Sequence, residues 1–229
     1  MENNNFVKYK DLLTIKEYDE ETNKEEFVFL PLEHELVVGI YKNNRNMLEY
    51  SRHVPVRKTV YEKLLEVAKK VKRINKDYKL VVVYGYRDMK KQVKYFNEIY
   101  EKSKDKFDNE LDLLEYIHEK IAVPEVSGHP TRRSSRYINI YDTKAKEYLD
   151  YGSEILDYST NECYYHNEKI SDKARQNREI LRKIMMNEGF APYDGEWWHF
   201  SYGDKEWAFY YKKGKALYNQ VIAEEVYKN

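Results

Sequence analysis

Cysteine is almost missing from this chain: Cys163 is the only one in 229 residues. A single thiol excludes an internal disulfide and any Cys-rich metal module, and reads as a free thiol in a reducing compartment. Net charge is missing too, with 40 basic residues against 40 acidic ones. The balance gives no reason to expect a nucleic-acid partner or an anionic membrane surface. No apolar run approaches the roughly 20 residues of a membrane span. Residues 1–6 carry neither the basic region nor the apolar region of a signal peptide. The expectation is a cytoplasmic protein without a membrane anchor. Glycine (8) and proline (5) are scarce, and neither a long linker nor an internal repeat divides the chain. Its length is within reach of one domain with a real core. The 24 tyrosines, in the company of many Lys, Glu and Asn, read as compositional bias and not as a stacking platform.

What is present alternates between two periods. Residues 1–25 are polar and are expected to form a loosely attached lead-in to a domain spanning 26–229. Residues 27–32 and 36–41 have strand-like apolar content. Thr59 and Glu62 form a capping-box pattern opening a helix with Val60, Leu64, Val67, Ala68, Val71 and Ile74 on one face. Residues 80–84 are a β-branched run that reads as a buried strand. Asp88 can cap a helix carrying Met89, Val93, Phe96 and Tyr100. Residues 111–121 read as a helix, and residues 137–141 as a strand. Ser171 can cap a further helix with Ala174, Leu181, Ile184 and Met185, and Gly189 stands where a C-terminal cap belongs. Residues 199–202 and 207–211 read as closing strands. Helices and strands mix without a regular βαβ rhythm, so the fold class is α+β.

Three short motifs carry chemistry. Glu196-Trp197-Trp198-His199 stands 67 residues after His129, which lies in Ser127-Gly128-His129-Pro130-Thr131. One histidine in one segment and Glu-x-x-His in another is a common way to supply a catalytic zinc, the glutamate acting on the metal-bound water. Alone, Glu-x-x-His fits equally a surface acid beside a packed aromatic pair. In a strand, residues three apart face opposite ways, so a shared site needs a bend here. A lone loop histidine is more often merely exposed. Arg87 ends the apolar strand at Gly85-Tyr86-Arg87, where a guanidinium can hold a carboxylate or a developing oxyanion. It could instead be a structural ion pair with Asp88 or Asp77.

In this order and rough spacing, the three motifs resemble the VanX-type D-alanyl-D-alanine dipeptidases. The stretch between agrees: Tyr141-Asp142-Thr143, Leu149-Asp150-Tyr151-Gly152-Ser153, Asn177-Arg178 and Gly189-Phe190. The likeness covers roughly residues 56–211. It implies a hedgehog-like or DD-peptidase-like domain: α+β, with a central, mostly antiparallel sheet flanked by helices. It further implies zinc held by His129 and His199, Glu196 as general base, and Arg87 steadying the tetrahedral intermediate. Ser127, and Asp157 with a one-residue shift, would seat the dipeptide, Asp157 near its ammonium. The implied reaction is hydrolysis of D-alanyl-D-alanine to two D-alanines.

One segment departs from the pattern. The family continues Ser-x-His-x-x-Gly-x-Ala-x-Asp, the aspartate being the third zinc ligand. Here the aspartate position holds Arg136, or Tyr137 if one residue is inserted. A cation there opposes metal binding by charge, and two protein ligands make a weaker zinc site than three. Asp142 is the nearest downstream carboxylate. Arg132-Arg133-Ser134-Ser135-Arg136 can also be encoded so that reading one base out of frame gives Gly-Gly-Ala-Val-Asp, a relation that the codons of the gene would test. Three expectations follow: a zinc dipeptidase, an inactive or frameshift-damaged relative lacking the third ligand, and a murein-peptide DD-carboxypeptidase. The missing signal peptide speaks against the last.

Overall fold

The computed structural model describes residues 6–17, 25–41, 45–124, 126 and 135–227. Its centre is strand β4 (Tyr78–Tyr84), whose Leu80, Val81, Val82 and Val83 are all buried. Side chains alternate along a strand, so burial of successive residues means that both sheet faces are covered. β2 (Val37–Gly39) runs parallel to β4 on one side. On the other side β5 (Ser135–Asp142) runs antiparallel, with a register shift between Val82 and Tyr84. β8 (His199–Ser201) and then β7 (Ala191–Pro192) continue the sheet, and β6 (Glu147–Tyr148) pairs with the far end of β5. A separate antiparallel pair joins β1 (Phe27–Phe29) to β3 (Pro55–Arg57). The expected mixed α+β domain with a mostly antiparallel sheet is what the chain forms.

Helix α3 (Lys58–Ile74) packs Val60, Leu64, Val67, Ala68 and Val71 into the main core, while Ile74 in its last turn stays exposed. Its start differs from expectation. β3 runs directly into it, Arg57 takes the N-cap position, and the Thr59 N–H is taken by Glu25. The capping box of Thr59 and Glu62 is therefore not used. α4 (Met89–Ser103) and α6 (Asp172–Asn187) do begin as expected, with Asp88 accepting from the Lys90 N–H and Ser171 from that of Ala174. α6 ends at Gly189, whose φ of +81° suits glycine. A short helix, α2 (Arg45–Leu48), precedes β3.

Two further expectations are corrected. Residues 207–211 are not a strand: α7 (Lys205–Tyr210) begins where Asp204 Oδ1 accepts the Trp207 N–H at 2.8 Å. The lead-in is not loose in its described part. α1 (Tyr9–Leu13) buries Tyr9 and Leu12, and its first amides are taken by the Glu115 carboxylate on α5 (Glu110–His118). Ile15 joins Ala191, Trp207 and Ala208 in a small satellite core. A final short helix, α8 (Ala223–Val226), closes the described chain.

Candidate functional site

Glu196 and His199 meet because the chain bends between them. Glu196 N–H donates to the Tyr193 carbonyl at 3.3 Å and His199 N–H to the Glu196 carbonyl at 3.1 Å, so Glu196 sits on a turn and β8 starts only at His199. The two tryptophans fix this turn. Trp198 is fully buried; Trp197 stacks on Tyr151 at 4.1 Å and its Nε1 donates to Ser153 Oγ at 3.0 Å. With both anchored inward, Glu196 Oε2 lies 3.1 Å from His199 Nδ1. The other oxygen, Oε1, accepts from the Tyr158 hydroxyl at 2.8 Å.

Arg87 reaches the same place from the end of β4. Its Nε donates to Tyr84 Oη and its Nη1 to Gln92 Oε1, both at 2.8 Å, with the guanidinium carbon 5.1 Å from the centre of the Tyr84 ring. Asp88 is spent on its helix cap, so these neutral partners and not an adjacent carboxylate hold the guanidinium. The strand-end turn is tight: a Cβ on Gly85 would come within 2.5 Å of Val54 Cγ1. Tyr137 and Tyr158 both lie in the electrostatic reach of Arg87 and of Glu196, which ties the two motifs into one cluster.

His199 is 2% exposed and its second nitrogen, Nε2, lies 3.8 Å from Glu206 Oε2. Burial works against charge on the imidazole. The Glu196 hydrogen bond and the nearby carboxylates of Glu196, Glu206 and Asp204 outweigh it and raise the pKa above the ordinary value. Burial lifts the Glu206 carboxyl in turn, with His199 and His118 pulling it back. Glu206, Tyr158 and Gln92 are members of the cluster that the motifs do not announce. Only Glu206 has a local signal, the Asp204 cap that makes its segment helical.

In the β5–β8 register Tyr137 stands directly opposite His199, and Arg136 opposite Phe200. Directly opposed residues share a sheet face, and the Tyr137 ring packs 5.6 Å from the His199 ring and 5.0 Å from that of Tyr84. Tyr137 therefore occupies the place opposite the histidine. Its phenol is held well above its ordinary pKa, by burial first and Glu196 second. Asp142 lies at the far end of β5, paired with Tyr78 and Glu147, and its Oδ1 accepts from the Lys144 and Ala145 amides. At about 3.3 Å per residue it is some 16 Å along the strand from Tyr137. It does not complete the site. Asp157 lies in a turn in which its Oδ1 accepts from the Ser159 amide and hydroxyl. Ser127 and His129, like Arg132 and Arg133, fall outside the described residues.

Among the described residues no group of three His, Cys, Asp or Glu side chains is placed to hold a metal ion. Glu196 and Glu206 lie against opposite nitrogens of His199 while a phenol faces its ring, so these carboxylates and the imidazole do not converge on one point as zinc ligands must. The described residues do not make a zinc site by themselves.

A mixed α+β domain that gathers a carboxylate, an imidazole and a guanidinium at one sheet end has the equipment of a hydrolytic enzyme. The chain belongs to the D-ala-D-ala dipeptidase family of peptidases, whose model matches residues 40–224. A D-alanyl-D-alanine dipeptidase of Synechocystis is 40% identical over 75 residues, covering 28% of this chain and 30% of that protein. One of Enterococcus faecalis is 31% identical over 103 residues, covering 45% and 50%. The matches thus span half or less of these curated relatives. Among solved structures, VanYB in complex with D-Alanine-D-Alanine aligns with 72% of this chain and 81% of its own at 16% identity and a TM-score of 0.38. The LdcB LD-carboxypeptidase aligns with 86% and 78% at 18% identity and 0.41. No helix among the described residues is long and apolar enough to cross a membrane.

Proposed function

We propose that this chain is a peptidase hydrolysing D-alanyl-D-alanine, with Glu196 as general base and Arg87 as the stabiliser of the developing oxyanion. The observation that carries the reading is the convergence of Glu196 and His199 from one segment with Arg87 from another around Tyr137 and Tyr158. Glu196 takes a proton from the attacking water, the water oxygen bonds to the scissile carbonyl carbon, and the pair of electrons displaced onto the carbonyl oxygen faces Arg87. When the C–N bond breaks, the proton passes from Glu196 to the leaving amine. The guanidinium is charged throughout. Ser127 and Asp157 seat the zwitterion in this reading. Zinc, with His129 and His199 as ligands, is the cofactor the family calls for.

A second reading rests on Tyr137: a family member that keeps the fold and the base but has lost the third metal ligand. One experiment separates the two. Purified chain is assayed for D-alanine release from D-alanyl-D-alanine, and its metal content is measured on the same sample. Release that tracks bound zinc supports the first reading. A folded chain with neither zinc nor release supports the second.

A further inference from the structure

Tyr158 is used by none of the roles above, yet it touches the residue on which they depend. Its hydroxyl donates to Glu196 Oε1 at 2.8 Å, on the side of the carboxylate away from His199. The residue is 57% exposed, so its ring lies at the surface while its oxygen turns inward onto a Glu196 side chain that is only 15% exposed. Apolar packing alone does not explain this pose, since more than half of the residue is left in water; among the described residues its ring contact is Trp198, edge-on at 5.8 Å.

The loop that carries it is built locally. Leu156, two residues earlier, sits at φ +68°, a left-handed conformation that is an outlier for a bulky side chain and is kept only where the surroundings enforce it. Asp157 and Ser159 on either side of Tyr158 are tied to each other by two hydrogen bonds, 3.0 Å from the amide and 2.6 Å from the hydroxyl. The turn therefore closes around Tyr158. Arg87 is near enough to act on the same phenol.

We infer that Tyr158 is a further catalytic residue, a neutral second donor to the oxyanion beside the charged Arg87. The inference rests on the proposed peptidase reading. In the resting site the hydroxyl donates to the Glu196 carboxylate. As Glu196 accepts the proton of the attacking water, its negative charge vanishes and an equal charge arises on the carbonyl oxygen. The Tyr158 hydroxyl then turns its hydrogen bond from one oxygen to the other. No O–H bond of the phenol breaks; the proton stays on Tyr158, whose pKa is pushed far above the ordinary phenol value by burial of the hydroxyl first and by Glu196 second.

The test uses the full chain carrying Tyr158→Phe and, separately, Tyr158→Ala, assayed for kcat and KM on D-alanyl-D-alanine and for Tm. Loss of one oxyanion donor typically lowers kcat about 10²-fold or more. Tyr158→Phe is expected to lower kcat by about that factor, with KM within about threefold and Tm unchanged. Wild-type kcat in Tyr158→Phe with a loss only in Tyr158→Ala would show that the ring and not the hydroxyl matters, and overturns the inference alone. A wild-type chain that is folded and releases no D-alanine overturns the peptidase reading, and this inference with it.

Discussion

Among the described residues, Tyr158 holds one oxygen of Glu196 and His199 lies against the other. Replacement by glutamine keeps its length and lets the amide oxygen still accept one of those bonds, but removes the base. Glu196→Gln is expected to lower kcat by about 10²–10⁴ with little change in Tm; a variant retaining full turnover would remove Glu196 from the chemistry. Tyr137 gives the second residue-scale prediction. It and not Arg136 pairs with His199 across the sheet. If a carboxylate is the missing donor, Tyr137→Asp should raise the zinc bound per folded chain and Arg136→Asp should not. Metal analysis after gel filtration reads this directly. The reverse result would mean that the strand register at Ser135–Asp142 is not the one described here.

At the scale of elements, α7 shows what sequence patterns reveal and what they hide. The run Trp207-Ala208-Phe209-Tyr210-Tyr211 has strand-like composition, and composition suggests a strand. The Asp204 carboxylate on the Trp207 amide decides otherwise, and that cap is legible three residues ahead of the aromatic run. The cost of misreading it is Glu206, which in the helix points a buried carboxylate toward His199. Caps at Asp88 and Ser171 and the glycine stop at Gly189 are legible for the same local reason. Thr59 misleads because its box is overridden by the strand that feeds α3. Glu196, His199 and Arg87 can be read from their motifs. Tyr158 cannot, because its position depends on the turn closed by Asp157 and Ser159, which no short motif announces. Asp204→Ala should cost about 1–2 kcal/mol of unfolding free energy, measured by chemical denaturation. An effect below about 0.3 kcal/mol would show that α7 is held by packing alone.

At the scale of the molecule, the family match begins at residue 40, yet part of what holds the site lies before it. Leu12 is fully buried, Ile15 packs with Trp207 and Ala208 of α7, and Lys205 of the same helix pairs with Glu17 at 2.8 Å. Glu115 binds the first amides of α1, fastening it to α5. The segment thus braces the helix that brings Glu206 to His199. Leu12→Ala removes a fully buried side chain, which typically costs about 2–5 kcal/mol. If residues 6–17 belong to the cooperative unit, that loss appears in global unfolding, with one transition seen alike by tryptophan fluorescence and circular dichroism. If the segment only rests on the surface, Leu12→Ala leaves the main transition where it was. The tryptophans are suited to this distinction: Trp197 and Trp198 lie in the main core and Trp207 in the satellite core that Ile15 completes. An early fluorescence change confined to the variant would mark α7 loosening first, ahead of the sheet that carries His199.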